Sequence, residues 1–83
     1  MREINLRMSN FESEIDDGFA DALQAEPEKV FGRHSGWNFN GKVYFSNGMF
    51  HEEVWVYGTP KEIISAPNLR DLMEAVCVKY GFD

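Results

Sequence analysis

Apolar and polar positions alternate from the start of the chain. Ile4, Leu6 and Met8 fall on one side and Glu3, Asn5 and Arg7 on the other, the period-two pattern of a half-buried strand over residues 2–8. Ser9 and Glu12 then stand at the S-x-x-E spacing at which a hydroxyl and a carboxylate reciprocally satisfy the free amides of a helix start. Phe11, Ile15, Phe19, Ala22 and Leu23 recur at helical period and form one apolar stripe, so this helix is predicted to pack on a sheet through that stripe. Pro27 cannot continue the helix without losing an amide donor, which places its end near Ala25. A further turn opened by Pro27 could run through Val30 and Phe31 and close at Gly32.

Residues 36–57 read as a hairpin, because Asn47-Gly48 is a pair that tolerates positive φ at both centres of a type I′ turn. A two-residue loop sets Ser46 opposite Met49, Phe45 opposite Phe50, Val43 opposite Glu52, Gly41 opposite Val54 and Phe39 opposite Val56. One face then carries Trp37, Phe39, Val43, Phe45, Phe50, Val54 and Val56, interrupted by Glu52, and is assigned to the core. The other carries Asn38, Asn40, Lys42, Tyr44, His51, Glu53, Trp55 and Tyr57.

Gly58-Thr59-Pro60 predicts a turn, and residues 61–66 a third hairpin strand at a sheet edge, where Pro60 costs no ladder bond. After Pro67, Asn68 is a good N-cap with Asp71 three residues on, and Leu69, Leu72, Met73, Val76 and Tyr80 form a second helical stripe ended by Gly81. Lys79 falls in the last turn, where the helix dipole favours a cation. The expectation is an α+β fold in β-α-β-β-(β)-α order: a single antiparallel-rich sheet, two helices packed on one face, the other face open.

The chain has 83 residues, so residues 1–83 are expected to form a single domain. A domain of this size buries only about 60% of the surface its unfolded chain exposes, which leaves little room for an enclosed active site. Hydrophobic residues make up 43% and aromatics 14%, enough for a folded core. Cys77 is the only cysteine, so no internal disulfide can form, and a reducing, cytoplasmic setting fits better than secretion. The N-terminal residues lack the apolar stretch of a signal peptide, and no apolar run approaches the ~20 residues that span a bilayer.

Motifs for chemistry are missing. His34, His51 and Cys77 stand at no metal-ligand spacing, and Asp16-Asp17-Gly18 lacks the alternation of a calcium loop; no metal and no cofactor is expected. Gly32-Arg33-His34-Ser35-Gly36 matches neither a nucleophile elbow nor a phosphate cradle and reads as a loop joining helix to hairpin. His34 beside Ser35 lacks an orienting acid. His51 reads as a solvated sheet histidine across from Tyr44, or as a pH-sensitive contact, and Cys77, beside the second stripe, as a small buried hydrophobe.

Charge placement is uneven. The net charge is −6, from 14 acids against 8 Lys and Arg, which disfavours direct nucleic-acid binding. Residues 12–28 hold Glu12, Glu14, Asp16, Asp17, Asp21, Glu26 and Glu28 without a Lys or Arg. The like-charge pairs Glu12–Asp16 and Asp17–Asp21 each cost about 0.2–0.5 kcal/mol, offset by a gain of about 0.3–1 kcal/mol for each acid at the helix start. Stability therefore neither demands nor forbids the cluster. It is a solubilising face, or a docking surface for a basic groove through Glu14, Asp17 and Asp21.

The outer hairpin face is the second candidate. Tyr44, Trp55 and Tyr57, with His51, occupy a surface that should be polar on an open sheet, and Trp and Tyr are enriched at binding hot spots. A terminal segment, a loop or a second copy of the chain could cover them instead. Stacking of single-stranded nucleic acid on these rings would need more cations than Lys42.

The segment His34-Ser35-Gly36-Trp37-Asn38-Phe39-Asn40-Gly41-Lys42-Val43, followed by Glu52-Glu53-Val54-Trp55 and by Ile64-Ser65-Ala66 leading into Leu69-Arg70-Asp71-Leu72-Met73, resembles small uncharacterised proteins encoded in bacteriophage and prophage genomes. The resemblance covers about half of the chain and carries no site residue over. It implies an acidic inhibitor or modulator of a bacterial host protein, such as a nucleic-acid-processing or defence complex, acting in the host cytoplasm. The reading from sequence is thus a non-enzymatic binding protein with a basic protein partner. The alternatives are a homodimeric structural module built on the aromatic face and a minimal hydrolase using His34 or His51.

Overall fold

The computed structural model describes residues 2–10 and 18–82. Its centre is a five-stranded sheet in sequential order, formed by β1 (Arg2–Leu6), β2 (Val30–Ser35), β3 (Asn40–Ser46), β4 (Met49–Val56) and β5 (Thr59–Ala66). β1 pairs with β2 in parallel, and the remaining neighbours pair antiparallel. Between β1 and β2 lie a short 3₁₀ turn (Met8–Asn10) and helix α1 (Phe19–Ala25); helix α2 (Leu69–Tyr80) follows β5. The α+β class and the open sheet face agree with the sequence reading, but the sheet is mixed, because a strand unseen in the sequence lies between helix and hairpin.

That strand is β2. Residues 32–36 are not a connecting loop, and Val30 and Phe31 open a strand instead of extending a helix. The inward positions of β2 are Val30, Gly32 and His34, all buried, so a glycine and a histidine stand where the alternation needs apolar side chains. Gly32 is required by packing: a Cβ there would lie 2.6 Å from Leu6 Cδ1 and 3.2 Å from Phe19 Cζ.

Both helices cover one face. α1 packs on β2 and β3, and α2 on β4 and β5. Phe19 and Leu23 of the predicted first stripe are buried, each burial giving about 1.5–3 kcal/mol. Phe11, Ile15 and the S-x-x-E start at Glu12 lie outside the described residues. Of the second stripe, Leu69, Leu72, Met73 and Val76 are buried as expected and Tyr80 is half-buried; Cys77 beside it is buried, and Asn68 Oδ1 accepts the Asp71 amide at 2.8 Å. These side chains meet Leu6, Val30, Val43, Phe50, Val54 and Ala66 in one core.

The hairpin register is the one the Asn47-Gly48 turn dictates, with Val43 opposite Glu52 and Gly41 opposite Val54, but the ladder ends at Asn40–Trp55, one residue short of the expected Phe39–Val56 pair; Asn47 and Gly48 have φ of 54° and 77°. Three positions differ from expectation. Trp37, assigned to the core, is 83% exposed, because β3 begins at Asn40 and the preceding residues bend away. Tyr57 belongs to the β4–β5 turn and not to a strand face: it has φ 51° and is followed by Gly58 at 76°, the same positive-φ pair as in the first hairpin. Thr59 and Pro60 accordingly start β5. Met8 sits in the 3₁₀ turn and is half-buried.

Candidate functional site

The face of the sheet opposite the helices is solvent-facing and carries most of the candidate residues. Alternation turns Glu3, Phe31, Arg33, Asn40, Lys42, Tyr44, His51, Glu53, Trp55, Ile63 and Ser65 outward. Trp55 is 37% and Ile63 55% exposed, while Phe31, Tyr44, His51 and Glu53 are half-buried among their neighbours. Phe31 and Arg33 join this face because β2 is a strand, adding a ring and a cation beside Lys42.

Local contacts hold these side chains in place. Arg33 Nε pairs with Glu3 at 2.8 Å. Lys42 Nζ lies 5.5 Å over the Phe31 ring, a cation–π placement. Trp55 Nε1 donates to Glu53 Oε1 at 3.1 Å. Phe31, Arg33, Asn40, Gly41, Lys42 and Trp55 line a shallow depression of about 170 Å³.

His51 is committed on both ring nitrogens. Its Nε2 lies 2.8 Å from the Ser46 carbonyl, which can only accept, so Nε2 carries the proton; Nδ1 meets Ser65 Oγ at 2.6 Å and, in the neutral ring, accepts from that hydroxyl. The ring stacks on Tyr44 at 5.1 Å. His51 therefore braces Tyr44.

Tyr57 stands apart from this cluster, at the hairpin tip, 84% exposed, with its hydroxyl donating to Asn38 Oδ1 at 3.3 Å. Of the acidic candidates, Asp21 is exposed on α1, on the other side of the sheet; Glu14 and Asp17 lie outside the described residues.

A second cluster escaped sequence reasoning. His34 and Glu52 are completely buried and Cys77 is 1% exposed. His34 Nδ1 stands 3.0 and 3.1 Å from the two Glu52 carboxyl oxygens, and Cys77 Sγ stands 3.8 Å from His34 Nε2. β2, β4 and α2 each supply one member. Gly41 of β3 makes the crossing possible: a Cβ there would fall 2.0 Å from Glu52 Oε2. Phe39 seals the cluster edge-on against His34, with centroids 4.9 Å apart.

Burial raises the Glu52 carboxyl above its usual range, opposed by the hydrogen bond and charge of His34. A raised carboxyl favours its protonated form, which keeps this apolar region free of an uncompensated charge. Thiol, imidazole and carboxyl in this order are the parts of a nucleophile with its base and orienting acid, but no member has surface for a substrate to reach. Because thiol and carboxyl lie on opposite ring nitrogens, the three do not converge on one point. Among the described residues no group of three His, Cys, Asp or Glu could hold a metal ion. The signal in the sequence was Glu52: a carboxylate in an apolar row demands a partner, and the partner sits in the strand that the sequence concealed.

A smaller surface cluster joins α2 to β5. Tyr80 Oη donates to Glu62 Oε2 at 2.5 Å and Lys79 Nζ donates to Glu62 at 2.8 Å. These bonds lower the Glu62 carboxyl, and the bond to Glu62 pushes the Tyr80 hydroxyl up to about 12. Among the described residues no helix is long and apolar enough to cross a membrane. Comparison with family models, curated proteins and solved structures finds no match for this chain.

Proposed function

We propose that this chain is a non-enzymatic binding protein that recognises a protein partner through the open face of its sheet. The observation that carries the reading is the surface formed by Phe31, Tyr44, Trp55 and Ile63: the rings are held by a cation–π contact, a stacking contact and a hydrogen bond, and Ile63 stands exposed beside them. Ordered aromatics of this kind bring large contact area at low entropic cost. Phosphate is a poorer fit, since Glu53 stands among the rings and Arg33 is already paired with Glu3.

The buried trio belongs to the core in this reading. Its inaccessibility argues against a hydrolase using His34, and the two ring contacts of His51 argue against that residue as a free base. The acidic stretch 12–28 provides a second, electrostatic contact to a basic surface, as expected of a phage-encoded modulator of a host protein in the bacterial cytoplasm.

Tagged protein incubated with bacterial lysate tests the proposal. Trp55→Ala is expected to abolish capture of a salt-tolerant partner, and reversal of Asp17 and Asp21 to Lys to weaken a salt-sensitive one. Unchanged capture by both variants would remove both surfaces as contacts to a host protein.

A further inference from the structure

We infer that the open face is filled by a second copy of this chain, related by a twofold axis running along the strands between β3 and β4; this rests on the binding reading above and names its partner. The cross-strand register carries the argument. An axis in that position exchanges every β3 residue with its β4 neighbour, and the pairs are Lys42 with Glu53, Tyr44 with His51, Asn40 with Trp55 and Ser46 with Met49. Laying two copies face to face therefore sets Lys42 of one over the partner's Glu53, twice by symmetry, in an isologous contact.

Other twofold axes in the sheet plane are worse. An axis along β3 places Lys42 over itself, and one along β4 does the same to Glu53. An axis across the strands through the row Arg33–Lys42–Glu53 superposes all three like charges. Only the β3/β4 axis among these converts each charge of the hairpin into a complement.

The same axis offsets the two Trp55 side chains laterally by about one strand spacing, ~4.8 Å, across the ~10 Å that separates facing sheets. Each lies over the partner's Asn40 in the end row of the β3–β4 ladder, so the two exposed indoles close one end of the contact while Tyr44 and His51 fill its middle. Arg33 shares its row with Ile63 through Lys42 and Glu53, so the overlap extends from β2 to β5 and leaves β1 overhanging.

Charge distribution permits the encounter. The outward residues include Arg33 and Lys42 against Glu3 and Glu53, whereas the chain as a whole carries −6. The excess acid is thus carried elsewhere, and Asp21 on α1 points away from the contact. Four strands of about six residues project to roughly 19 Å by 20 Å, less than the ~800 Å² per partner of a standard interface. A contact of this size belongs with the weak, transient interfaces, so the dimer is expected only at high protein concentration.

Sedimentation velocity from about 5 to 500 µM reads this directly. Wild type is expected to pass from monomer to dimer across the range. Lys42→Glu and Glu53→Lys should each weaken the dimer roughly tenfold or more, since each sets like charges against each other. An equimolar mixture of the two variants should restore association, because the mixed pair regains both complementary contacts, and the double variant K42E/E53K should associate with itself. That rescue also shows that the single variants are folded. Trp55→Ala should weaken association in every background.

A wild type that stays monomeric at the highest concentration overturns the inference, as does a mixture no better than either variant alone. If association fails while Trp55→Ala still abolishes capture of a lysate protein, the second-copy assignment falls and the broader reading stands; if both fail, the open face is not a protein-binding surface. Micromolar binding of an oligothymidylate that Trp55→Ala abolishes would assign the face to single-stranded nucleic acid and overturn the proposal.

Discussion

Glu52 and Glu53 are consecutive residues of β4, yet the first has no exposed surface and the second stands at the open face holding the Trp55 indole. Strand alternation alone separates them. On the helix-covered side, the carboxyl is pushed up by burial and needs His34, the space left by Gly41 and the cover of Phe39. On the open side, the same side chain hydrogen-bonds in the presence of water, where pairing contributes little to stability. The inner face therefore turns polar residues into a stability constraint, and the outer face leaves them available for recognition.

The sharpest way to break this comparison is His34→Ala, which leaves the Glu52 carboxyl buried without its partner. Loss of one member of a buried pair costs about 3–5 kcal/mol, comparable with the total stability of many small domains, about 5–15 kcal/mol. Urea titration followed by circular dichroism should show an unfolding midpoint far below that of wild type. The double replacement of His34 and Glu52 by Leu should recover much of the loss, since an apolar pair needs no desolvated charge. A melting temperature of His34→Ala within about 2 °C of wild type would contradict this account.

Next in size is the pH dependence. The folded Glu52 carboxyl titrates above the ordinary value of 4.5, so the folded chain retains a proton that the unfolded chain releases. The associated stability is whole below about pH 4.5 and is lost as pH rises through the higher folded value, at a slope of up to ~1.4 kcal/mol per pH unit. Glu52→Gln should flatten that slope. Glu62 works in the opposite sense, since its carboxyl is lowered and its contribution is lost as pH falls; its slope should persist in the Glu52→Gln variant.

Smaller effects belong to the open side. Trp55→Ala should change unfolding free energy by no more than about 1 kcal/mol, while weakening association, so that stability and binding respond to different faces. The two hairpin turns allow a finer comparison, because Asn47-Gly48 and Tyr57-Gly58 share one geometry with different first residues. A bulky side chain at positive φ is disfavoured, and Tyr57→Asn should raise stability by roughly 0.5 kcal/mol. No gain, or a loss, would show that the Tyr57 hydroxyl bond to Asn38 outweighs the backbone cost.

The sequence was legible wherever a local period or a turn pair carries the information. Asn47-Gly48 dictated the β3–β4 register, and with it the outward placement of Tyr44, His51 and Trp55; the i, i+3, i+4 stripe and the Asn68 cap dictated α2. β2 was illegible because its inward row is Val30, Gly32 and His34, a pattern shaped by Leu6, Phe19 and Glu52 and not by its own neighbours in the chain. The site residues Phe31 and Arg33 were lost with it. The β4–β5 turn was shifted because Tyr57 occupies a conformation that local preference gives to Asn or Gly.

The sequence by itself determined the class of fold, the central hairpin and which of its residues face outward, because alternation and turn geometry act over a few residues. Only the tertiary structure decided that His34, Glu52 and Cys77 meet, since that contact joins two strands and a helix distant in the chain. Its condition is the low dielectric of a closed core, which exists only once the sheet and both helices have packed.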